Sequence, residues 1–516
     1  MFRSTIAQAV AFIVLALQAA LPALGSAGEP FVWVESWRHA ATVPVERAAA
    51  GDVDGDGVPE LAVLAGGTVT VYSLDPEGPR PLGAIRSPSG RFTAVAVADY
   101  DGDGAAEVWT GTSAPGIVQI YSFEDGAFRL VNDLRYVWED VRLLIPLDLD
   151  GWGRTDLAVV TSGGLSYVYR WNGDAFERHE LGALQRGVRF AAGGDIDADG
   201  MDELVIARGQ EHVAALEWRT RQIGPAEVSG EPGAGRRPDA SSPEDPWDAG
   251  EGGAPATPSG AVQSAGELAV RWENFVWGGH THLAVGDFLR APGAEVFLST
   301  SRGLVYVFDS GNGGAQGQPD PQSRLILPDQ VVGIGDLDFD GVAELLIKSE
   351  SGIEAWDVSP FRMSMRLATP VQPVESVHIM DRGGVMAVSG PWGFSRYDRR
   401  EAGYVRVIRN GAVLPLAKEA VVTEASIYLS AADWEALTGM RLRFDPSSGR
   451  VTGIRGFHFL VGDVRGGDWI YNGRPLQIAH PPLVKGGDLY LPIDFAGAVG
   501  VAARWDPFAR TLLVER

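Results

Sequence analysis

The chain has no cysteine, which excludes a disulfide framework, a thiolate metal centre and an acylated lipoprotein cysteine. Histidine is scarce, with eight residues, mostly isolated. Basic residues are the minority, 43 Lys and Arg against 67 Asp and Glu, for a net charge of -24. That balance argues against nucleic acid or anionic lipid as the primary partner. Helical periodicity is rare, and no Gly-x-Ser-x-Gly elbow, Walker loop or His-Glu-x-x-His helix occurs. Apolar runs long enough to cross a bilayer are lacking except at Ile6–Leu24.

Arg3 precedes that run, and Gly25, Ser26 and Ala27 follow it. This is the pattern of a secretory signal, residues 1–27, cleaved near Ala27. Gln8, Gln18 and Pro22 dilute the run; an uncleaved anchor is the alternative. The expected location is therefore secreted or at the cell surface, with the membrane touched only through this segment.

What is abundant is glycine (66) and tryptophan (15), in a chain of 516 residues that is 45% hydrophobic. Such a length implies two or more domains. Short Val/Ile/Tyr/Trp runs broken by Gly and Asp indicate a mainly β protein. The stretch Gly51–Glu60 recurs: Asp52, Asp99, Asp148 and Asp195 follow one another at about 47 to 49 residues, the span of a four-stranded propeller blade. Asp287 and Asp336 continue the series, and Asp381 is a weaker seventh member. One unit gives the plan, with expected strands at Phe92–Ala98, Val108–Thr112, Ile117–Phe123 and Phe128–Leu134 around the acidic loop Asp99–Glu107.

Seven such units predict a seven-bladed β-propeller over residues 31–400. The doubled step from Asp195 to Asp287 is assigned to a disordered insertion, residues 224–266, rich in Gly, Pro, Ala, Ser and Glu, between the third and fourth strands of blade four. The seventh unit lacks a fourth strand, and Phe31–Val43 is expected to supply it and to close the ring. Beyond Tyr404 the period changes. Asn410-Gly411 and Asn472-Gly473, Tyr428 and Tyr490, and Arg443-Phe444-Asp445-Pro446 and Arg504-Trp505-Asp506-Pro507 recur about 62 residues apart. Residues 404–516 are thus expected to form a small duplicated α+β domain, with Ser430 capping a helix over Ala431–Leu437.

Oxygen ligands at loop positions one, three, five and nine, with a carbonyl at seven, suit Ca²⁺. Four loops carry the full set: Asp52, Asp54, Asp56, Val58 and Glu60; Asp99, Asp101, Asp103, Ala105 and Glu107; Asp195, Asp197, Asp199, Met201 and Glu203; Asp336, Asp338, Asp340, Val342 and Glu344. About four structural calcium ions are expected. The third loop keeps Asp148, Asp150 and Asp156 but has Trp152 at position five, which leaves it weak or empty. The fifth has only Asp287 and Glu295 and is expected to be metal-free. An EF-hand is excluded, because position twelve is Val63, Thr110, Ile206 or Ile347 inside strand-like runs.

Asp-x-Asp-x-Asp-Gly-x-x-Glu followed by strands such as Leu61-Ala62-Val63-Leu64 resembles the FG-GAP/VCBS repeat propellers, which include the integrin α-subunit head. The resemblance implies structural calcium between the first two strands of a blade, and a secreted or cell-surface binding protein. Tyr471-Asn472-Gly473-Arg474, Leu489-Tyr490-Leu491-Pro492 and Arg504-Trp505-Asp506-Pro507 resemble the stalk-like domain at the N-terminus of copper amine oxidases. Neither the modified-tyrosine setting nor three histidine copper ligands are visible, so no copper and no amine oxidase activity are expected.

His280-Thr281-His282 places two imidazoles on one side of a strand, where a blade-edge polar role outweighs transition-metal binding. Trp33, Trp37, Trp138, Trp272 and Trp277 are read as packing between blades ahead of a sugar-binding surface. The function expected is a non-catalytic module for an extracellular ligand, a cell-wall polymer or a surface protein. A polysaccharide- or phosphoester-active enzyme using the propeller face, and a purely structural envelope protein, are the alternatives.

Overall fold

The computed structural model describes residues 31–88, 90–135, 139–223, 263–289, 292–301, 305–308, 331–337, 340–349, 352–358, 361–369, 373–381, 384–401, 404–423, 426–506 and 509–515. The expected signal segment, most of the expected insertion, Trp138 and Asp338 lie outside them. Among these residues the chain forms two compact units, one from 31–52, 57–85 and 331–515, the other from 53–56 and 86–308.

The second unit contains four antiparallel sheets in simple up-and-down order. Phe92–Ala98, Glu107–Thr112, Val118–Glu124 and Ala127–Leu134 form one; Val141–Leu147, Asp156–Thr161, Ser166–Trp171 and Phe176–Glu180 form the next. Val188–Gly194, Glu203–Arg208, His212–Ile223 and Gln263–Phe275 form the third. His280–Gly286, Glu295–Thr300 and Val305–Phe308 are the described strands of the fourth. Second strands such as Asp156–Thr161 are buried along their whole length, which is why they read as unbroken apolar runs and not as alternation. Fourth strands such as Phe176–Glu180 are mostly exposed.

The expected insertion has to be shortened. Ile223 pairs with Gln263 and Arg219 with Glu267, so residues 263–266 are strand and not loop. Composition hid this, because Gly266 looks like linker. A Cβ on Gly266 would lie 1.8 Å from the Trp218 indole, so the glycine makes room for a cross-strand tryptophan.

The first unit holds three further four-stranded sheets of the same kind. Val45–Gly51, Glu60–Ala65, Thr68–Asp75 and Gly78–Arg86 form one, and Val331–Gly335, Glu344–Ser349, Gly352–Val358 and Phe361–Ala368 another. In the last, Ser376–Asp381, Val385–Gly390 and Gly393–Glu401 are completed by Phe31–Ala40, which pairs antiparallel with Gly393–Glu401. The first strand thus joins the last sheet, as its sequence suggested, but stops at Ala40 and has a register shift between Glu35 and Trp37. Phe31 and Trp33 bury themselves among Val332, Leu346, Met386 and Tyr397.

Beyond Tyr404 the same unit contains three small sheets and two short helices around one core that includes Trp434, Leu429, Leu491 and Phe495. The 62-residue offset is visible in the pairing. Tyr428 opposes Pro492, Leu429 opposes Leu491 and Ser430 opposes Tyr490, so equivalent strands of the two repeats pair with each other. Asn410 and Asn472 take φ of 51° and 50°, each followed by glycine at 81° and 77°, the geometry of a tight hairpin turn. Helix Ala431–Thr438 is capped by Ser430 and ends at left-handed Gly439; its counterpart is the single turn Phe495–Ala498.

Candidate metal-binding loops

Each acidic loop links the first two strands of a sheet, and the same hydrogen bonds shape every one. Position six is Gly57, Gly104, Gly153, Gly200 or Gly341, with φ between 73° and 94°, a region that disfavours side chains. Its N–H donates to the position-one aspartate at 2.7–2.9 Å in all five loops. At position nine, Glu107, Glu203 and Glu344 accept the N–H of Tyr100, Ile196 and Leu337 at 3.3, 3.0 and 2.7 Å. Glu295 does the same for Phe288 at 2.7 Å, although its loop lacks the other acids. The glutamate clamp therefore belongs to the sheet, since it forms with or without the other acids.

Ligand-capable oxygens come within 4.8 Å of one another in four places: Asp52, Asp54 and Glu60; Asp99, Asp101 and Glu107; Asp195, Asp197 and Asp199; Asp336, Asp340 and Glu344. These are the four loops singled out from sequence. Asp56 and Asp103 are exposed beside their clusters, and Asp103, Asp199 and Asp340 accept the N–H of Ala105, Met201 and Val342 at 2.8–2.9 Å. Val58 stands at the same position seven, 52% exposed.

Packing so many carboxylates together has an electrostatic cost. Burial, and then the charges of Asp101, Asp99 and Asp103, push Glu107 up to about 8. Burial and Asp197 bring Glu203 to about 8 as well. Asp197 Oδ1 is buried without a hydrogen-bond partner. An orphaned carboxylate oxygen and an oxygen-only donor set fit a hard divalent cation such as Ca²⁺.

The loop at Asp148 differs from the others in a way the sequence did not announce. Trp152 is 76% exposed, and Arg170 reaches across from the third strand to Asp150 and, at 3.0 Å, to Asp156. Burial raises Asp156 to about 6, with Arg170 opposing it. At the next loop Arg271 reaches Asp197, Glu203 at 4.0 Å and Glu217 at 3.0 Å. Both arginines were missed; register finds Arg170, whereas Arg271 stands on the outer strand at a register shift, between Val270 and Trp272. Leu157 pairs with Tyr169, Leu204 with Leu216, Val108 with Tyr121 and Leu61 with Tyr72. One step along, the residue opposite the closing acid is Arg170, Glu217, Ser122 or Ser73, and the pairing of Leu345 with Trp356 puts Asp357 opposite Glu344.

Neighbouring loops are tied together. Asp202 N–H donates to the Asp148 carbonyl at 2.7 Å and Ala294 N–H to the Asp195 carbonyl at 2.8 Å. A register shift falls between His280 and His282; His280 is buried, Thr281 exposed and His282 half-buried. Trp33 and Trp272 join apolar clusters, and Trp37 donates to the Asp75 carbonyl at 2.7 Å. Trp277 departs from its expected packing role, being 58% exposed.

Repeated up-and-down sheets with an acidic loop after each first strand make this a repeat protein of the β-propeller class. Residues 52–110 match the FG-GAP-like repeat. Similar solved structures include BBS1N in complex with ARL6DN, soaked with lead (9% identity, 71% of this chain and 97% of that chain, TM-score 0.47). The Cps50 (Swd1) β-propeller domain of Myceliophteria thermophila is similar at 11% identity, over 71% of this chain and 99% of that one, with a TM-score of 0.44. A chain of the Mitotic Checkpoint Complex is similar at 11%, over 73% and 96%, with a TM-score of 0.45. No curated protein matches the sequence.

Proposed function

We propose that the chain is an exported, calcium-stabilised propeller of seven blades that serves as a non-catalytic binding module, with residues 404–516 as a stalk-like spacer. The observation that carries this reading is the convergence of carboxylate oxygens at one loop position in four sheets. Asp52, Asp54, Asp56 and Glu60, and their counterparts in the other three loops, would hold calcium. The ion supplies the positive charge that lets first and second strands stay pinned beside a buried glutamate. Its role is architectural: binding to the native loops and not to the unfolded chain raises stability by mass action.

The ligand expected is extracellular, a cell-wall polymer or a surface protein, approached by a rigid acidic module. The test is elemental analysis and thermal melting of the purified full-length protein with calcium and with excess chelator. Stoichiometric calcium and a melting temperature lowered by chelation are expected. A protein free of calcium whose melting ignores chelator would overturn the reading. Binding of the full chain to isolated cell-envelope fractions, compared with a mock fraction, tests the partner class.

A further inference from the structure

We infer that Arg271 is a built-in competitor for the cation position of the 195–203 loop, so that this loop exchanges calcium for a guanidinium. The inference rests on the calcium reading of the other loops. It starts from the cross-strand position opposite the closing acid. In the 99–107 loop that residue is the neutral Ser122, and among the described residues no basic side chain pairs with Asp99, Asp101, Asp103 or Glu107. In the 148–156 loop it is Arg170, which bridges Asp150 and Asp156 and stacks over Trp218 at 4.2 Å. With Trp152 also replacing a ligand, that loop carries its own permanent cation.

The 195–203 loop is intermediate. All its acids are present, yet the residue opposite Glu203 is Glu217, a like charge in a destabilising cross-strand position. Arg271, on the outer strand, lies among them: it touches Asp197, sits 4.0 Å from Glu203 and 3.0 Å from Glu217. A divalent ion and a guanidinium cannot both sit against Asp197 and Glu203 without strong repulsion. Asp197 Oδ1 is buried with no hydrogen-bond partner, Asp195, Asp197 and Asp199 bring oxygens within 4.8 Å of one another, and Glu217 gives Arg271 a place to retreat. Two occupants of one position is the arrangement of an exchangeable site, whose apparent calcium affinity is lowered by the fraction of time the arginine holds it.

Calcium titration of the full-length protein, followed by calorimetry and by bound-ion count, tests this. Wild type should show a tight site at the 99–107 loop and a weaker step at the 195–203 loop. Arg271→Gln should tighten only that step, by about tenfold, while Arg170→Gln adds no ion. Should Arg271→Gln fold poorly, Asp197→Asn serves: it should remove the weak step alone, whereas Asp101→Asn should remove a tight one. If wild type binds calcium but Arg271→Gln leaves every step unchanged, or Asp197→Asn removes a tight step, the competition is overturned. If no variant binds calcium, it is the calcium reading that fails.

Discussion

A glycine and an aspartate in the 99–107 loop separate shape from charge. Gly104 has φ of 94°, and a Cβ there would meet nothing within 4 Å. Gly104→Ala should therefore cost only backbone strain, about 1 kcal/mol, read as a lower urea midpoint with or without calcium. Asp101→Asn should behave differently. It keeps the volume but removes one of four crowded carboxylates, so it should lower the melting temperature in calcium and leave it unchanged or raised in chelator. Equal losses in both conditions would count against a metal there. Glu107 and Glu203 sharpen the argument, since both rise from about the usual carboxylate value to about 8. Without metal, the native state keeps protons that the unfolded chain releases, so stability should fall as pH rises from 6.5 to 8 and level off above that. Calcium takes the protons' place, and the slope in that window should flatten when it is added. Chemical denaturation at pH 6.5, 7.2 and 8 in the two conditions measures this.

Elements were legible where one local rule decided them. The spacing of acids located every loop, and Ser430 with Gly439 marked both ends of a helix before any packing was known. Ser430 Oγ accepts the Asp433 N–H at 3.2 Å, and Ser430→Ala should cost about 1 kcal/mol in a denaturant melt. What sequence could not announce were features set by the neighbour across the sheet. Gly266 resembled linker until Trp218 was seen to occupy the space above it. The register shift between His280 and His282 has no signature in the alternation of His280-Thr281-His282. Arg170 and Arg271 lie about 20 and 70 residues from the acids they meet, and the packing of neighbouring strands, not chain proximity, brings them there.

At the scale of the whole molecule, the most distant pairing is the most exposed to test. Phe31–Ala40 completes the sheet that ends with Gly393–Glu401, and their contacts span the length of the repeats. Ser36 and Glu35 bond to Asp398 and Ser395, 362 and 360 residues away. Closing a loop of that length adds little entropy beyond a shorter one, but it delays the contact until the intervening sheets exist. Among the described residues that strand alone covers the edge of Gly393–Glu401, and Phe31 and Trp33 fill part of the same core as Tyr397. Deleting residues 31–40 should leave an open, partly apolar edge, which promotes association between chains. The expected result is a lower melting temperature and concentration-dependent aggregates in light scattering. A synthetic peptide of residues 31–40 added in excess should reverse both, because it restores the pairing without the covalent link. A truncated protein that melts and scatters like the full chain would mean that the long-range strand contributes neither stability nor edge protection.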